Sequence, residues 1–238
     1  MPEMRKARMA AIQDRTNLLI AAFPQFLQFY LRNPPFQKEG QLECHALIIK
    51  LRRAAGSIAG ALRDSRFLTS LYDTPQAWGI GARGSKLVPF RRFSDALLAA
   101  EESIAALEGL TLDQAGLRLP QVTAGIWDLV EHLSIVENKA KLVAGTKTLH
   151  HLLPELVVPI DRQYTQAFFG WHGPEFQYEQ HAFLELALKT FAQVARKASP
   201  QQYVGHGWNT SRTKVIDNAI VGTIVVAYHL QESAERAG

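Results

Sequence analysis

Apolar residues recur at helical spacing along almost the whole chain of 238 residues. One such stripe runs from Leu18 to Tyr30 and stops at Asn33, just before two prolines. Because residues three and four apart lie on one face of a helix, this spacing predicts amphipathic helices. The few short apolar runs that would suit a strand carry prolines, which sheets exclude from their interior. The pattern therefore predicts an all-α fold of about eight to ten helices.

Local start and stop signals predict where these helices lie. Ser94 is a candidate cap for a helix that runs to about Glu108, and Thr111 to Gln114 has capping-box spacing. We predict one two-lobed helical domain, 1–238, with a lobe boundary near 111–123. The other expected helices cover 47–71, 126–141, 146–153, 161–169, 180–198 and 213–231.

Cysteine content and hydropathy bear on the compartment. Cys44 is the only cysteine, so the chain cannot form an intramolecular disulfide, and a reducing cytosol fits it. No apolar run reaches the roughly 18–20 residues that a transmembrane helix needs. We therefore expect a soluble cytoplasmic protein with no membrane partner.

The positive charge of the chain is concentrated in one segment. Between Leu47 and Phe93, nine basic and two acidic residues give a net charge of +7, whereas the whole chain carries only +4. A contiguous basic face is typical of proteins that bind phosphate backbones. A solvated helix face, whose acidic partners lie elsewhere in the fold, is an equally open interpretation. The candidates for DNA contacts in this segment are Arg83, Lys86, Arg91 and Arg92.

A second stretch carries most of the candidate chemistry. We expect 142–147 to form a turn between two helices, with Thr146 capping the second helix and free amides near Gly145 that favour a DNA phosphate. Lys147 then lies on a first helical turn, which disfavours a cation. It indicates either an anionic neighbour or an amine whose pKa is lowered for nucleophilic work. Asp161 opens the next helix, where backbone N–H groups hold a carboxylate.

Gly-Thr-Lys at 145–147, then an apolar helix and Pro-Ile-Asp at 159–161, resembles the signature of helix-hairpin-helix DNA glycosylases over 126–161. The resemblance implies a two-lobed all-α fold with a hairpin element and a monomeric enzyme whose partner is double-stranded DNA. It implies that Asp161 stabilises an oxocarbenium-like sugar or activates the nucleophile, and that Lys147 forms a Schiff base with the sugar. The target base is extruded from the duplex first. Val143 stands where the family has its first hairpin glycine.

The resemblance also bears on cofactors. The family's hairpin often holds a monovalent cation, which is the only bound group that the resemblance implies. His150 and His151 are adjacent and should point to different sides of a helix. His181 and Glu185 have the i,i+4 spacing of a ligand pair but lack a third ligand. We therefore expect no metal and no other cofactor.

The polar segment 205–214, before the last apolar helix, is a candidate base pocket. Trp208 can stack on a base, Asn209 can bond its edge, and Arg212 can hold a phosphate. Tyr164 and Trp78 are further candidates for stacking. A helix-capping loop and ordinary core packing of the aromatic rings are the alternative interpretations.

Three functions remain open from the sequence. The chain is a DNA glycosylase for a damaged or modified base, a non-catalytic DNA-binding protein, or an interaction protein whose basic segment docks an acidic partner. Divergent bacterial glycosylases that act on hypermodified phage bases are a further analogy, so DNA repair and phage defence both stay open. A fold that brings Asp161, Lys147 and Trp208 to one cleft facing the basic segment favours the glycosylase.

Overall fold

The structure of the chain, a computed structural model, describes residues 2–36, 38–80, 86–137, 141–171 and 173–237. Within these ranges it is helical, with no strand beyond one bridge between Leu87 and Val136, so the all-α prediction is confirmed. The helices are α1 (Pro2–Ala21), α2 (Phe23–Arg32), α3 (Gln41–Ala54), α4 (Ile58–Arg63), α5 (Ser65–Ala77), α6 (Phe90–Ala99), α7 (Glu101–Ala105), α8 (Leu119–Leu133), α9 (Lys141–Leu152), α10 (Thr165–Phe169), α11 (Gly173–Tyr178), α12 (Gln180–Ala198) and α13 (Arg212–Ala237), with a 3₁₀ helix at Pro200–Tyr203.

The last helix, α13, runs through the centre of the fold. Its residues from Thr213 to Ile224 are buried, and those from Ala227 to Glu235 are exposed. The buried half packs along α2. A Cβ atom at Gly222 would lie 2.2 Å from the carbonyl oxygen of Phe26, so only glycine lets the two helices approach this closely.

The turn predicted at 142–147 is wrong, because these residues lie inside α9. The preceding helix ends at Leu133, with Ser134 in the left-handed region, so the connection to α9 comes earlier than the glycine suggests. Gly145 has a packing role instead. A Cβ there would lie 2.8 Å from a methyl group of Val130 on α8, so the glycine allows α8 and α9 to pack closely. The hairpin element of the glycosylase resemblance stays a prediction.

Two predicted helix starts are also displaced. Ser94 lies inside α6, which begins directly after Pro89, and its hydroxyl donates to the carbonyl of Arg91 instead of capping. The capping-box contact at 111–114 does form, since the backbone N–H of Thr111 donates to the Gln114 side chain at 3.4 Å. The next helix nevertheless begins only at residue 119.

One cluster of buried apolar side chains extends from Ile12 on α1 to Ile224 on α13. The lobe boundary predicted near 111–123 falls on the turns before α8 and on its first residues, and it stays a prediction. Among the described residues, no helix is both long and apolar enough to cross a membrane.

We predict that Gly222→Ala lowers the free energy of unfolding by about 1–3 kcal/mol, because the new methyl group overpacks the contact between α13 and α2. Elsewhere in a helix, alanine is more favourable than glycine by about 1 kcal/mol. The control is Gly205→Ala, since a Cβ at Gly205 meets nothing within 4 Å. Urea denaturation followed by circular dichroism measures both changes, and equal stability of the two variants would contradict the close contact.

Candidate functional site

A partly enclosed pocket with about 350 Å³ of empty space, some of it open to solvent, lies where five parts of the chain meet. It is reached from the end of α2, the end of α5, α9, the connection before α10 and the start of α13. Its lining combines aromatic rings with two amines and two carboxylates. The lining residues are Phe36, Trp78, Lys147, Pro159, Asp161, Trp208, Lys214 and Asp217.

Lys147 presents its amine to this pocket from the middle of α9. Among the described residues its nitrogen makes no hydrogen bond or ion pair, and it lies 5.5 Å from the centre of the Trp78 ring. Burial lowers the pKa of Lys147. The carboxylates of Asp161 and Asp217 oppose that shift, and the nearby charge of Lys214 adds to it. A buried amine with a lowered pKa is more often neutral, which is the nucleophilic form.

Asp161 faces the same pocket and is held as the sequence predicts. Its Oδ1 atom accepts hydrogen bonds from the backbone N–H groups of Gln163 at 2.7 Å and Tyr164 at 2.6 Å. The N–H group of Thr165 lies at 3.4 Å. Within the described part of the chain Oδ2 has no hydrogen-bond partner, so one carboxylate oxygen fixes the side chain and the other is available to a ligand.

The second charged pair in the pocket, Lys214 and Asp217 on the first turns of α13, has no counterpart among the predictions from the sequence. Both side chains are buried, with Lys214 Nζ 2.5 Å from Asp217 Oδ2. The same nitrogen lies between 5.1 and 5.8 Å from the ring centres of Phe36, Trp78 and Trp208. Burial raises the pKa of Asp217, and the ammonium of Lys214 opposes this. The available signal was the i,i+3 spacing of opposite charges in an otherwise apolar helix.

Among the residues predicted for a base pocket, Trp78 and Trp208 line the cavity, and the other two do not. Asn209 is buried, and its side-chain oxygen accepts a hydrogen bond from Asn218 at 2.8 Å. Tyr164 is also buried, in edge contact with Phe36, and borders a second, more open groove.

Three residues that were predicted to contact phosphate make other contacts in the fold, and their role toward DNA stays a prediction. The amides of Gly145 and Thr146 lie within α9, and both residues are buried. The hydroxyl of Thr146 does not cap a helix but donates to the carbonyl of Leu142 at 2.8 Å. Arg212 is held by two carboxylates, with Nε 2.7 Å from Glu155 and Nη1 2.5 Å from Asp113.

Among the described residues, four basic side chains of the basic segment pair with acids from outside it. Arg52, for example, is buried and pairs with Glu108. For the paired side chains, the structure therefore agrees with the alternative interpretation, in which the basic residues have acidic partners elsewhere in the fold. Arg92 is exposed, and Arg83 lies outside the described residues. The other pairs are Arg63 with Glu101 at 3.2 Å, Lys86 with Glu137 at 3.3 Å and Arg91 with Asp95 at 4.0 Å.

Three histidines form a buried cluster directly behind the two tryptophans. The ring of His45, from α3, lies 5.2 Å from Trp78 and 5.7 Å from Trp208. His150 and His151, from α9, have ring centres 5.1 Å apart, closer than the expectation of different helix sides suggests. Burial lowers the pKa of all three, that of His151 to about 3, so the cluster is neutral near pH 7.

We predict that Asp113→Asn destabilises the chain in a pH-dependent way. Burial raises the pKa of Asp113, but hydrogen bonds from Thr111 and Arg212 outweigh it and bring the pKa below its ordinary value. The carboxylate therefore stabilises the native state above pH ~4, and this contribution is lost as the pH falls through the native pKa.

Asp113→Asn should lower the free energy of unfolding at neutral pH by about 1–2 kcal/mol, as for a partly screened charged hydrogen bond. The difference from the parent chain should shrink between pH ~4 and pH ~2. Chemical denaturation across this range measures it, with Asp95→Asn, a change at a largely exposed pair, as the control. A difference that does not depend on pH would contradict the role of the carboxylate.

The glycosylase interpretation requires Asp161, Lys147 and Trp208 to meet in one cleft that faces the basic segment, and the structure meets part of this requirement. Asp161, Lys147 and Trp208 converge on one pocket, and Trp78, which belongs to the basic segment, forms one of its walls. The chain matches no protein-family model, no curated protein and no solved structure. The functional conclusion therefore depends on the chemistry of the pocket itself.

Proposed function

We propose that the chain is a DNA glycosylase-like enzyme that binds a base extruded from the duplex and cleaves its N-glycosidic bond. The observation that carries the proposal is that Lys147 and Asp161 meet in one pocket with two tryptophan walls. An amine without a hydrogen-bond partner among the described residues, next to a carboxylate with one free oxygen, is a constellation suited to attack on an anomeric carbon.

The aromatic walls support a nucleobase as the bound group. Every base has a π-face that stacks on an aromatic ring, and such stacking contributes about 1–3 kcal/mol per base. Trp78 and Trp208 are 130 residues apart in the sequence, and both line the cavity. A base inside a duplex cannot reach an enclosed pocket, so extrusion precedes the chemistry.

Asp161 and Lys147 have different roles in the proposed reaction. Asp161 stabilises the positive charge that develops on the sugar as the C1′–N bond breaks. The neutral amine of Lys147 attacks C1′, and the electrons of the broken bond leave with the base. The proton released by the amine passes through a pocket carboxylate to the leaving base. The C1′–O4′ bond then breaks, the remaining proton on the amine nitrogen passes to O4′, and a Schiff base forms between Lys147 and C1′.

The pair of Lys214 and Asp217 supports the assignment of Lys147 as the nucleophile. The ammonium of Lys214 is already bound to Asp217, so it acts as a fixed positive charge near Lys147 and not as a second nucleophile. With the hairpin amides buried in α9, contacts to the DNA backbone fall to exposed basic side chains such as Arg91 and Arg92.

We predict that borohydride traps a covalent adduct between the chain and a duplex that carries an abasic site. Reduction converts the Schiff base to a stable amine, so the adduct survives a denaturing gel. Lys147→Gln should abolish it, whereas Lys141→Gln, a change of another lysine on the same helix, should leave it. Peptide mapping that places the adduct on Lys214 would contradict the assignment of the nucleophile, and absence of any adduct would exclude the Schiff base on Lys147.

We predict that Asp161→Asn lowers the rate of base release about 10²–10³-fold, a magnitude typical for loss of one electrostatic contact to a transition state. The amide oxygen can still accept the backbone N–H bonds, so the fold should persist. The measurement is alkaline strand cleavage of duplexes with a panel of damaged or hypermodified bases, at single turnover. Asp128→Asn on α8, an exposed position, is the control. Salt-dependent DNA binding without any cleavage would favour a non-catalytic DNA-binding protein instead.

A further inference from the structure

The buried histidines, His45, His150 and His151, have the arrangement of a metal site. One ring nitrogen from each lies within 4.8 Å of those from the other two. All three side chains are fully buried. His45 comes from α3 and the other two from α9, so the cluster joins elements that are distant in sequence.

Two of the rings are oriented by backbone carbonyls. Nδ1 of His151 donates to the carbonyl of Lys147 at 2.8 Å, and Nδ1 of His150 donates to the carbonyl of Val157 at 2.9 Å. A histidine that binds a metal commonly donates its other N–H group to a carbonyl oxygen, which fixes the tautomer and the ring orientation. Because Nδ1 carries the proton in both rings, Nε2 of each ring has a lone pair that can bind a metal.

The third ring completes the set. Nε2 of His45 lies 2.6 Å from the hydroxyl of Thr210, and its Nδ1 lies 3.0 Å from Nε2 of His151. Nε2 of His150 is buried and has no hydrogen-bond partner among the described residues. A buried lone pair without a donor costs free energy, and a cation between the three rings would remove that cost.

We propose that His45 Nδ1, His150 Nε2 and His151 Nε2 bind a Zn²⁺ ion. Imidazole nitrogens bind zinc at about 2.0–2.1 Å, which places the ligands of a tetrahedral site ~3.4 Å apart. The nitrogens of His45 and His151 are already near this separation, and the ligand nitrogen of His150 lies within 4.8 Å of both. Binding places the proton of His45 on Nε2, which then donates to the hydroxyl of Thr210. Three imidazoles leave the fourth position for a water molecule.

Two cations near the cluster are held in other contacts. The ammonium of Lys214 is paired with Asp217, and the guanidinium of Arg53 is bound to the carbonyl of Thr210. Both charges oppose a cation at the cluster, so its three nitrogen ligands must outweigh that repulsion. An ion in the cluster would also fix His45, against which both pocket tryptophans pack. The site thus supports the walls of the pocket whatever reaction occurs there, and it does not depend on the proposed function.

The test is to unfold the purified chain in urea with a chelator and to refold it with or without zinc sulfate. After dialysis, we expect about one zinc ion per chain by mass spectrometry of metals. We expect the zinc-loaded chain to melt about 5–10 °C higher than the metal-free chain. Cobalt in place of zinc should give the visible absorption of a tetrahedral site with nitrogen ligands.

The variant that removes a ligand is His150→Ala, which should lose both the bound zinc and the zinc-dependent shift in melting temperature. The matched control is His181→Ala, a change of an exposed histidine on α12, which should keep both. If His150→Ala does not fold, the cobalt spectrum of the unmodified chain tests the proposal instead. A folded His150→Ala that retains zinc, or an unmodified chain that retains none and whose melting temperature does not move, overturns the proposal.

Discussion

The pocket depends on a buried ion pair at the start of α13. Lys214 and Asp217 are both removed from water, and such a pair commonly costs as much free energy in desolvation as its attraction returns. The pair therefore contributes more to the positions of the groups around the pocket than to the free energy of unfolding. The ammonium of Lys214 lies among the three aromatic rings that form the pocket walls. The same charge helps to lower the pKa of Lys147, so the pair sets both the shape and the electrostatics of the site.

Helical periodicity is enough to predict the fold class, because it depends on local spacing alone. Asp161 could also be predicted for the site, since backbone N–H groups hold its carboxylate. Lys147 does line the pocket, but not for the reason that the sequence suggested, because it lies in the middle of α9 and not on a first helical turn. The turn at 142–147 fails because it was inferred from a glycine. A glycine that permits close packing against Val130 looks the same in a sequence as a glycine that permits a turn.

Contacts between distant segments explain the other errors. The acids that pair with the basic segment lie after its end, at 95–137, and Arg212 pairs with Asp113 and Glu155. The histidine cluster needs His45, which is about a hundred residues before its partners, and no local spacing connects them. The net charge of a segment or the spacing within a helix can indicate which groups are present, but only the packing decides what they face.

Helix α9 connects the pocket with the histidine cluster. Lys147 faces the pocket with its amine. Its backbone carbonyl accepts the hydrogen bond that orients His151, which lies one helical turn later. One residue earlier, the hydroxyl of Thr146 accepts a hydrogen bond from the backbone N–H of Ile160 at 3.2 Å, directly before Asp161. A shift of α9 would therefore move the amine, the carboxylate and the cluster together. An ion at the cluster would touch neither Lys147 nor Asp161, yet by restraining α9 it would preserve the distance between them, which is the quantity on which the proposed reaction depends.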